Sequence, residues 1–326
     1  MTNVNRRQAT LACLGALTMA ATGRAAADSN YPSRPVTLIV PFPAGGGTDA
    51  TLRIVARHFQ EITGQPMQVE NRPGGGTLVA LAYLKNQKPD GYTLGTMTRA
   101  QHVTYWRENG KVPVHPLEDL TYISGTHGSI FGMVVRADSP FNSLEDLVRH
   151  ARANPGKLSF GNIGVGTTHH LVALEFARQA GLEVIHASFK GEAESNTAAM
   201  GGHLDVSVSS GAFIPQVEGG KMKVLGLALD KRLAAYPNWK TMREQGYDVL
   251  MDTSVGIGGP KGMSDAVVNR LDAVFRKMTA DPKFEAGLMR VYQPVQYTST
   301  AEYRKAQQLQ FQKEKALIAE YQLGAR

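Results

Sequence analysis

The chain has 326 residues, of which 42% are hydrophobic, and it carries a formal net charge of +7 at pH 7. This length and hydrophobic fraction are enough for an ample core, and they predict a globular protein of two domains. The basic residues form no cluster dense enough for a nucleic-acid footprint, so we expect no nucleic-acid partner. The single cysteine, Cys13, lies near the amino terminus, which leaves the rest of the chain without a disulfide or a thiolate metal ligand.

The first 27 residues have the pattern of a cleavable signal peptide. Two arginines at positions 6 and 7 precede an apolar stretch that ends at residue 21, and Ala25 and Ala27 fit the small-x-small rule of a cleavage site. We therefore expect residues 1–27 to be removed and the mature protein, starting at Asp28, to be periplasmic. The paired arginines leave two export routes open, the general secretory route and the twin-arginine route.

Beyond residue 28 the chain alternates apolar strand-like runs with amphipathic helical runs, which is typical of α/β folds around mainly parallel sheets. A first unit has predicted strands at 36–40, 67–71 and 92–97, with helices at about 48–63 and 77–88. A second unit has predicted strands at 131–136, 157–160, 183–188, 204–209 and 223–228.

After residues 255–264 the pattern becomes wholly helical, with Val267, Leu271, Val274 and Met278 on one apolar stripe, and the last helix is predicted at about 300–321. Helices without a strand of their own must cover a sheet that is already built, and we expect this to be the first sheet. We therefore predict a discontinuous first domain, with two crossing strands near residues 125–131 and 250–256. The predicted domains are 28–128 and 252–326 for the first and 129–251 for the second.

Three consecutive glycines stand in "VPFPAGGGTDATLR", residues 40–53, between a strand-like run and a helix-like run. The first-turn amides of such a helix lack partners within the helix and favour an anion at the carboxyl edge of the sheet. Glycine lets the backbone approach that anion without a Cβ in between. A tight strand-to-helix turn without a ligand explains a single glycine run equally well.

Glycine recurs at three further strand-to-helix junctions: "NRPGGGT" at 71–77, "SFGNIGVGTTHH" at 159–170 and "FKGEAES" at 189–195. Two domains that both aim helix amino termini at a shared crevice would enclose a small anion and close over it by hinge motion. Removing residues 1–27 takes away three arginines and no acid, so the formal charge falls from +7 to +4, which suits an anionic ligand.

The spacing of the motifs does not favour an enzyme or a cofactor. The first glycine run lacks the lysine of a P-loop, the glycines at 161, 164 and 166 do not follow the dinucleotide pattern, and no G-x-S-x-G stretch exists. His169 and His170 are adjacent and point apart on a helix, so we expect no metal site. Asp49, in the first turn of a helix, is better explained as a capping residue than as a catalytic acid.

Several stretches together resemble one family. "YPSRPVTLIVPFPAGGGTD", "VENRPGGGTLVA", "KPDGYTL", "GKLSFGNIGVGTTHHL" and "FKGEAE" followed by "GGHLDV" are similar, in order and spacing, to Bug-type periplasmic solute-binding proteins of tripartite tricarboxylate transporters. The resemblance covers essentially the whole mature chain. It implies a two-domain Venus flytrap of the periplasmic-binding-protein type II kind, a monomer without cofactor or catalysis. Such a receptor captures a small carboxylate in the cleft between its domains and delivers it to membrane transporter subunits.

The resemblance also implies the site. The loops at 42–49 and 161–168 would hold the ligand carboxylate, largely through backbone amides and ordered waters. Phe42 would be a packing wall, and the amide donors would be Ala44, Gly45 and Gly46 on one side and Gly164, Gly166 and Thr167 on the other. Residues placed near the cleft with less defined roles are Thr48, Asp49, Thr98, Arg99, Lys190 and Asp205.

Two residues depart from the family pattern. Thr77 stands where the family has a further glycine, and we expect it to begin a helix. Arg99 stands where the family has small residues, and it either reaches solvent or enters the cleft as a fixed charge for a second carboxylate. Two other functions stay open: a receptor for a neutral or aromatic small molecule, and a periplasmic hydrolase on the same fold.

Overall fold

The computed structural model describes residues 31–45, 47–233, 235–251 and 254–324. The predicted signal peptide and one predicted site residue, Gly46, lie outside these described residues. Within the described ranges, every helix is too short or too polar to cross a membrane.

Sheet A has six strands in the spatial order β11-β4-β10-β3-β1-β2. Their bounds are β1 Val36–Val40, β2 Met67–Asn71, β3 Thr93–Met97, β4 Leu120–His127, β10 Val255–Pro260 and β11 Val295–Thr298. The strand β1 pairs in parallel with β2 and β3, whereas β10 runs antiparallel to β3 and β4.

Sheet B has five strands in the order β7-β6-β8-β5-β9. Their bounds are β5 Phe131–Arg136, β6 Ser159–Asn162, β7 Ile185–Ser188, β8 Val206–Ser210 and β9 Met222–Leu227. The strand β6 is parallel to β7 and β8, and β5 is antiparallel to β8 and β9. Both sheets are therefore mixed, and the prediction of mainly parallel sheets is wrong. The reason is that β5 and β10, which follow the passages between the sheets, enter their sheets in the reverse direction.

Ten helices cover the two sheets in the described part of the chain. They are α1 Gly47–Thr63, α2 Leu78–Lys85, α3 Ala100–Arg107, α4 Leu144–Ala153, α5 Thr168–Ala180, α6 Glu192–Met200, α7 Ile214–Glu218, α8 Asp265–Thr279, α9 Pro282–Met289 and α10 Thr300–Glu320. Hydroxyl side chains cap several of them: Ser143 accepts a hydrogen bond from an amide in the first turn of α4, and Ser264 does the same for α8. Ser299 and Glu302 form a capping box that starts α10.

Each sheet has its own apolar core. Leu38, Phe59 and Phe275 are buried in the core of sheet A, and Phe160 and Phe176 in that of sheet B. The predicted stripe on α8 is confirmed, because Val267, Leu271, Val274 and Met278 all pack into the core of sheet A.

The sequence pattern predicts that the chain is wholly helical after residue 264, and this prediction is wrong. Val295–Thr298 forms β11 at the edge of sheet A, antiparallel to β4. Its four residues are too few to give a recognisable strand period, and their side chains are only half-buried or exposed. The helices α8, α9 and α10 do belong with sheet A, as predicted.

The chain leaves sheet A between β4 and β5 and returns to it between β9 and β10. Sheet A is consequently built from both ends of the described chain, which agrees with the predicted crossing segments and a discontinuous first domain. The finer boundaries, at residues 128/129 and 251/252, stay predictions.

Candidate functional site

The carboxyl ends of strands from the two sheets meet at one place. The helix α3, which follows β3 of sheet A, contacts the loop that follows β6 of sheet B: Arg107 Nη1 donates to the carbonyl oxygen of Val165 at 3.1 Å. At the start of α3, Arg99 Nη1 donates to Thr168 Oγ1 at 3.2 Å. These contacts hold the loops of the two sheets beside each other, and the space that the loops border is the candidate site.

The first glycine loop is organised by a carboxylate of its own. Gly45 has a φ of +80°, which favours glycine, and its amide donates to Asp49 Oδ2 at 2.9 Å. Asp49 is only 3% exposed and also accepts hydrogen bonds from Arg53 Nε and Asn71 Nδ2, each at 2.9 Å. The hydrogen bond from Arg53 is the main cause that holds the pKa of Asp49 at about 2. Asp49 is therefore an anion at neutral pH, and it occupies the amide of Gly45.

The other predicted residues of this loop lie around that carboxylate. Phe42 is half-buried against the core of sheet A, as a packing wall requires, and its carbonyl oxygen accepts from Asn71 Nδ2 at 3.0 Å. Ala44 is exposed and Thr48 is half-buried. The ligand contacts assigned to this loop stay predictions, and the contact with Gly45 requires that a ligand carboxylate replace Asp49 on its amide.

The loop after β6 is also closed by internal hydrogen bonds. The amide of Gly164 donates to Asn162 Oδ1 at 2.9 Å, and the amide of Gly166 donates to His170 Nδ1 at 3.1 Å. Burial lowers the pKa of His170 to about 4, so the ring is neutral and can accept this bond. Thr167 caps α5 and donates its hydroxyl to Gly164 O at 2.7 Å.

Gly166 also has a steric role. Its φ is +78°, and a Cβ on it would lie 3.0 Å from Arg107 Cδ on α3. The positive φ favours glycine here, and a Cβ would in addition require the Arg107 side chain on α3 to shift. As ligand donors, Gly164, Gly166 and Thr167 stay predictions.

Two buried polar atoms at the ends of strands have no hydrogen-bond partner among the described residues: Thr98 Oγ1 and Asn162 Nδ2. Thr98 follows the last residue of β3 and is 8% exposed, and Asn162 is the last residue of β6 and fully buried. Buried polar side chains nearly always have a partner, so these two atoms mark where one is expected. Asn162 lies within the predicted loop at 161–168 but was not named as a contact, although a polar residue that ends a strand before a glycine loop is a signal that could have identified it.

Thr77 behaves as predicted. It immediately precedes α2 with a φ of +89°, and its hydroxyl is another buried polar group without a partner in the described part of the chain.

Arg99 forms a buried ion pair, so of the two alternatives that the sequence left open, the one in which Arg99 reaches solvent is wrong. It is 7% exposed, its Nη2 donates to Glu314 Oε2 at 2.7 Å, and its Nε donates to Glu314 Oε1. Glu314, on α10, has no exposed surface and also accepts from Gln310 Nε2. Because Glu314 neutralises this guanidinium, contact between Arg99 and a second ligand carboxylate stays a prediction that depends on the remaining nitrogen, Nη1.

Lys190 and Asp205 lie at opposite edges of sheet B. Lys190 follows the carboxyl end of β7, next to Phe189, whose amide donates to the carbonyl oxygen of Asn162 at 2.8 Å. Lys190 is exposed, and its amide donates to Glu194 Oε2 at 3.0 Å. Asp205 accepts hydrogen bonds from the amide and the hydroxyl of Ser159, at 2.8 and 2.7 Å. Asp205 precedes β8 and Ser159 begins β6, so this cluster lies at the amino ends of two parallel strands. The prediction of Asp205 as a cleft residue is therefore wrong, because the glycine loops follow the opposite ends of these strands.

A polar cluster orders the carboxyl end of β8. Glu192 accepts hydrogen bonds from Ser209 Oγ at 2.9 Å and from both the amide and the hydroxyl of Ser210, and it pairs with His169 Nε2 at 2.8 Å. Burial raises the pKa of Glu192, but the hydrogen bonds from His169 and Ser210 outweigh it, so the pKa lies below its usual value. The carboxylate lies between the serine and the histidine, whereas a hydrolytic triad needs the histidine in contact with the serine.

Within the described ranges, no group of three or more histidine, aspartate or glutamate side chains is arranged to hold a metal ion.

The ion pair generates a stability prediction. Glu314→Gln leaves the buried charge of Arg99 uncompensated, so the free energy of unfolding should fall by about 3 to 5 kcal/mol in urea titrations. Glu320→Gln is the matched control on the same helix, since Glu320 forms only an exposed pair with Arg178 at 3.6 Å. This control substitution should lower the free energy of unfolding by only about 0 to 1 kcal/mol. Equal losses for the two variants would contradict the role assigned to the pair.

The chain also matches known proteins. The profile of the family described as "Tripartite tricarboxylate transporter family receptor" matches residues 51–323. A Cupriavidus necator protein, "UPF0065 protein in gbd 5'region", is 34% identical over 307 residues, which cover 94% of this chain and 93% of that protein. The solved structure of the periplasmic binding protein BugD has a TM-score of 0.76 at 25% identity and covers 91% of this chain and 100% of its own.

A second solved structure, R. palustris Rpa4515 with adipate, has a TM-score of 0.75 at 25% identity and covers 89% of this chain and 96% of its own. The profile match spans most of the chain, and the Cupriavidus necator relative exceeds 30% identity over nearly its full length. The TM-scores of the two solved structures agree with the two-sheet fold. The chain therefore belongs to the receptor family of tripartite tricarboxylate transporters, the Bug-type periplasmic solute-binding proteins.

Proposed function

We propose that this protein captures a small carboxylate between its two sheets and delivers it to the membrane subunits of a tripartite tricarboxylate transporter. The observation that carries the proposal is the pair of buried, unpartnered polar atoms, Thr98 Oγ1 and Asn162 Nδ2, at the ends of strands that belong to opposite sheets. A ligand that accepts hydrogen bonds from both would join the two halves of the site. The adipate bound to the related Rpa4515 supports an aliphatic carboxylate as the ligand class.

A carboxylate suits this site on chemical grounds. The Thr98 hydroxyl and the Asn162 amide can both donate hydrogen bonds, and hydrogen bonds to an ionised acceptor are roughly twice as strong as neutral ones. The amino termini of α1 and α5 contribute positive ends of helix dipoles at the same edge. In this proposal the backbone amides of Gly45 and Gly164 join the ligand shell when a ligand carboxylate displaces Asp49 Oδ2 and Asn162 Oδ1.

The two alternatives receive less support. A neutral or aromatic ligand could satisfy Thr98 and Asn162, but it would gain nothing from the helix dipoles. A hydrolase would need a serine activated by a histidine, whereas the hydroxyl of Ser210 donates to Glu192. We propose in addition that residues 1–27 act as a cleavable export signal and that the receptor is a monomer.

The proposal predicts stabilisation by a matching carboxylate. Protein freed of ligand by unfolding and refolding would be heated with a series of mono- and dicarboxylates, adipate included, and with the corresponding amides. A ligand that binds only the folded state adds about 2.7 kcal/mol at a hundredfold excess over its dissociation constant, so the melting temperature should rise. Shifts with the amides alone would favour the neutral-ligand alternative, and formation of a product would favour the hydrolase.

Thr98→Val tests the site itself. The substitution removes a hydroxyl that has no partner in the described protein, so the unliganded stability should not fall, but carboxylate binding should weaken by about 1.5 to 3 kcal/mol in calorimetric titrations, because the lost hydrogen bond is to an ionised acceptor. Thr300→Val is the matched control, because its buried hydroxyl also lacks a partner among the described residues but lies at the start of α10. Equal affinities for the two variants would remove Thr98 from the ligand contacts.

A further inference from the structure

A groove of about 390 Å³ lies between α1 and α9, on the helical layer that covers sheet A. It is lined by Arg57, His58 and Glu61 of α1 and by Lys283, Ala286, Gly287 and Arg290 of α9 and its end. Arg57 stands ten residues after the start of α1, which places it about 15 Å along the helix from the glycine loop. The groove is therefore separate from the proposed ligand site.

The rim of this groove carries an excess of positive charge. Arg57, Lys283 and Arg290 are exposed, and none of the three forms an ion pair within the described part of the chain. The one acidic side chain of the lining, Glu61, already pairs with His58 Nδ1 at 3.1 Å. The lining therefore carries three cations against one carboxylate, a net excess of positive charge.

The floor of the groove contains an unpartnered buried atom. His58 is 3% exposed, its ring packs edge-on against Phe284, and its Nε2 has no hydrogen-bond partner among the described residues. Gly287 lies over this ring: a Cβ there would be 3.1 Å from Ile54 Cγ2 and 4.0 Å from His58 Nε2. The glycine lets α9 lie close on α1 and keeps a side chain out of the groove.

We propose that this groove is the docking surface for an acidic protein segment on the membrane partner. The inference rests on the proposed function in so far as that function supplies the partner. Exposed cations around an open groove complement a chain of carboxylates, and such complementarity speeds and orients encounters between proteins. Three cations around a concavity are fewer than the four to eight that typically mark binding to anionic lipid. Docking here also leaves the distant ligand site free to release its cargo.

The test uses the full mature chain and a fluorescein-labelled oligoglutamate peptide, with binding followed by fluorescence anisotropy at low ionic strength. A triple neutralisation of the rim is compared with a triple neutralisation of exposed lysines on the side of sheet B. The two variants are R57Q/K283Q/R290Q and K157Q/K221Q/K240Q. The rim variant should bind the peptide at least about tenfold more weakly than the parent, and the control should keep the parental affinity.

A second variant, Ala286→Glu, puts an acid into the groove at an exposed helical position and should also weaken peptide binding. Equal weakening in the two triple variants would overturn the proposal, because net charge alone would then explain binding. The proposal would also be overturned if the rim variant bound phosphatidylglycerol vesicles more weakly than the parent but bound the peptide equally well. The groove would then be a site for a lipid surface.

The carboxylate melting shift, measured on the same variants, separates this inference from the proposed function. The rim variant should keep the shift of the parent. If no carboxylate raises the melting temperature of the parent but peptide binding depends on the rim cations, the proposed ligand class is contradicted and the docking surface is supported. If the carboxylate raises the melting temperature of both the parent and the rim variant, and the two bind the peptide equally well, the docking surface is contradicted and the ligand class is supported.

Discussion

The buried ion pair between Arg99 and Glu314 joins three parts of the molecule that are distant in sequence. Its partners are 215 residues apart, one at the start of α3 and the other on α10. The same guanidinium reaches across to Thr168 at the start of α5, beside sheet B. The ion pair therefore fixes α10 over sheet A and holds the guanidinium that links the end of β3 to the start of α5, beside the glycine loop of sheet B.

The glycine loops are held in shape by acceptors from the protein itself. Asp49 occupies the amide of Gly45, and Asn162 and His170 occupy those of Gly164 and Gly166. A loop of glycines has a large conformational entropy to lose, and these bonds restrict it before any ligand arrives. The amides can still exchange one acceptor for another, since a ligand carboxylate offers the same chemistry as Asp49.

Local patterns were enough to predict most of the fold but less of the site. The bounds of β1, β2 and β5 follow from their apolar runs, and the stripe of α8 follows from its helical period. The strand β11 was missed because four half-exposed residues give no clear period. Asp205 was misplaced because a motif identifies a strand without showing which of its ends faces the ligand. No local sequence pattern indicated Glu314 as the partner of Arg99, because their contact depends on how α10 packs in the folded protein.

The central claim is that donors from both sheets hold the same ligand carboxylate. A crystal structure of the protein with the carboxylate that gives the largest melting shift tests it most directly. The account predicts carboxylate oxygens within about 3.5 Å of both Thr98 Oγ1 and Asn162 Nδ2. A ligand bound elsewhere, or one that touches the residues of only one sheet, would contradict it.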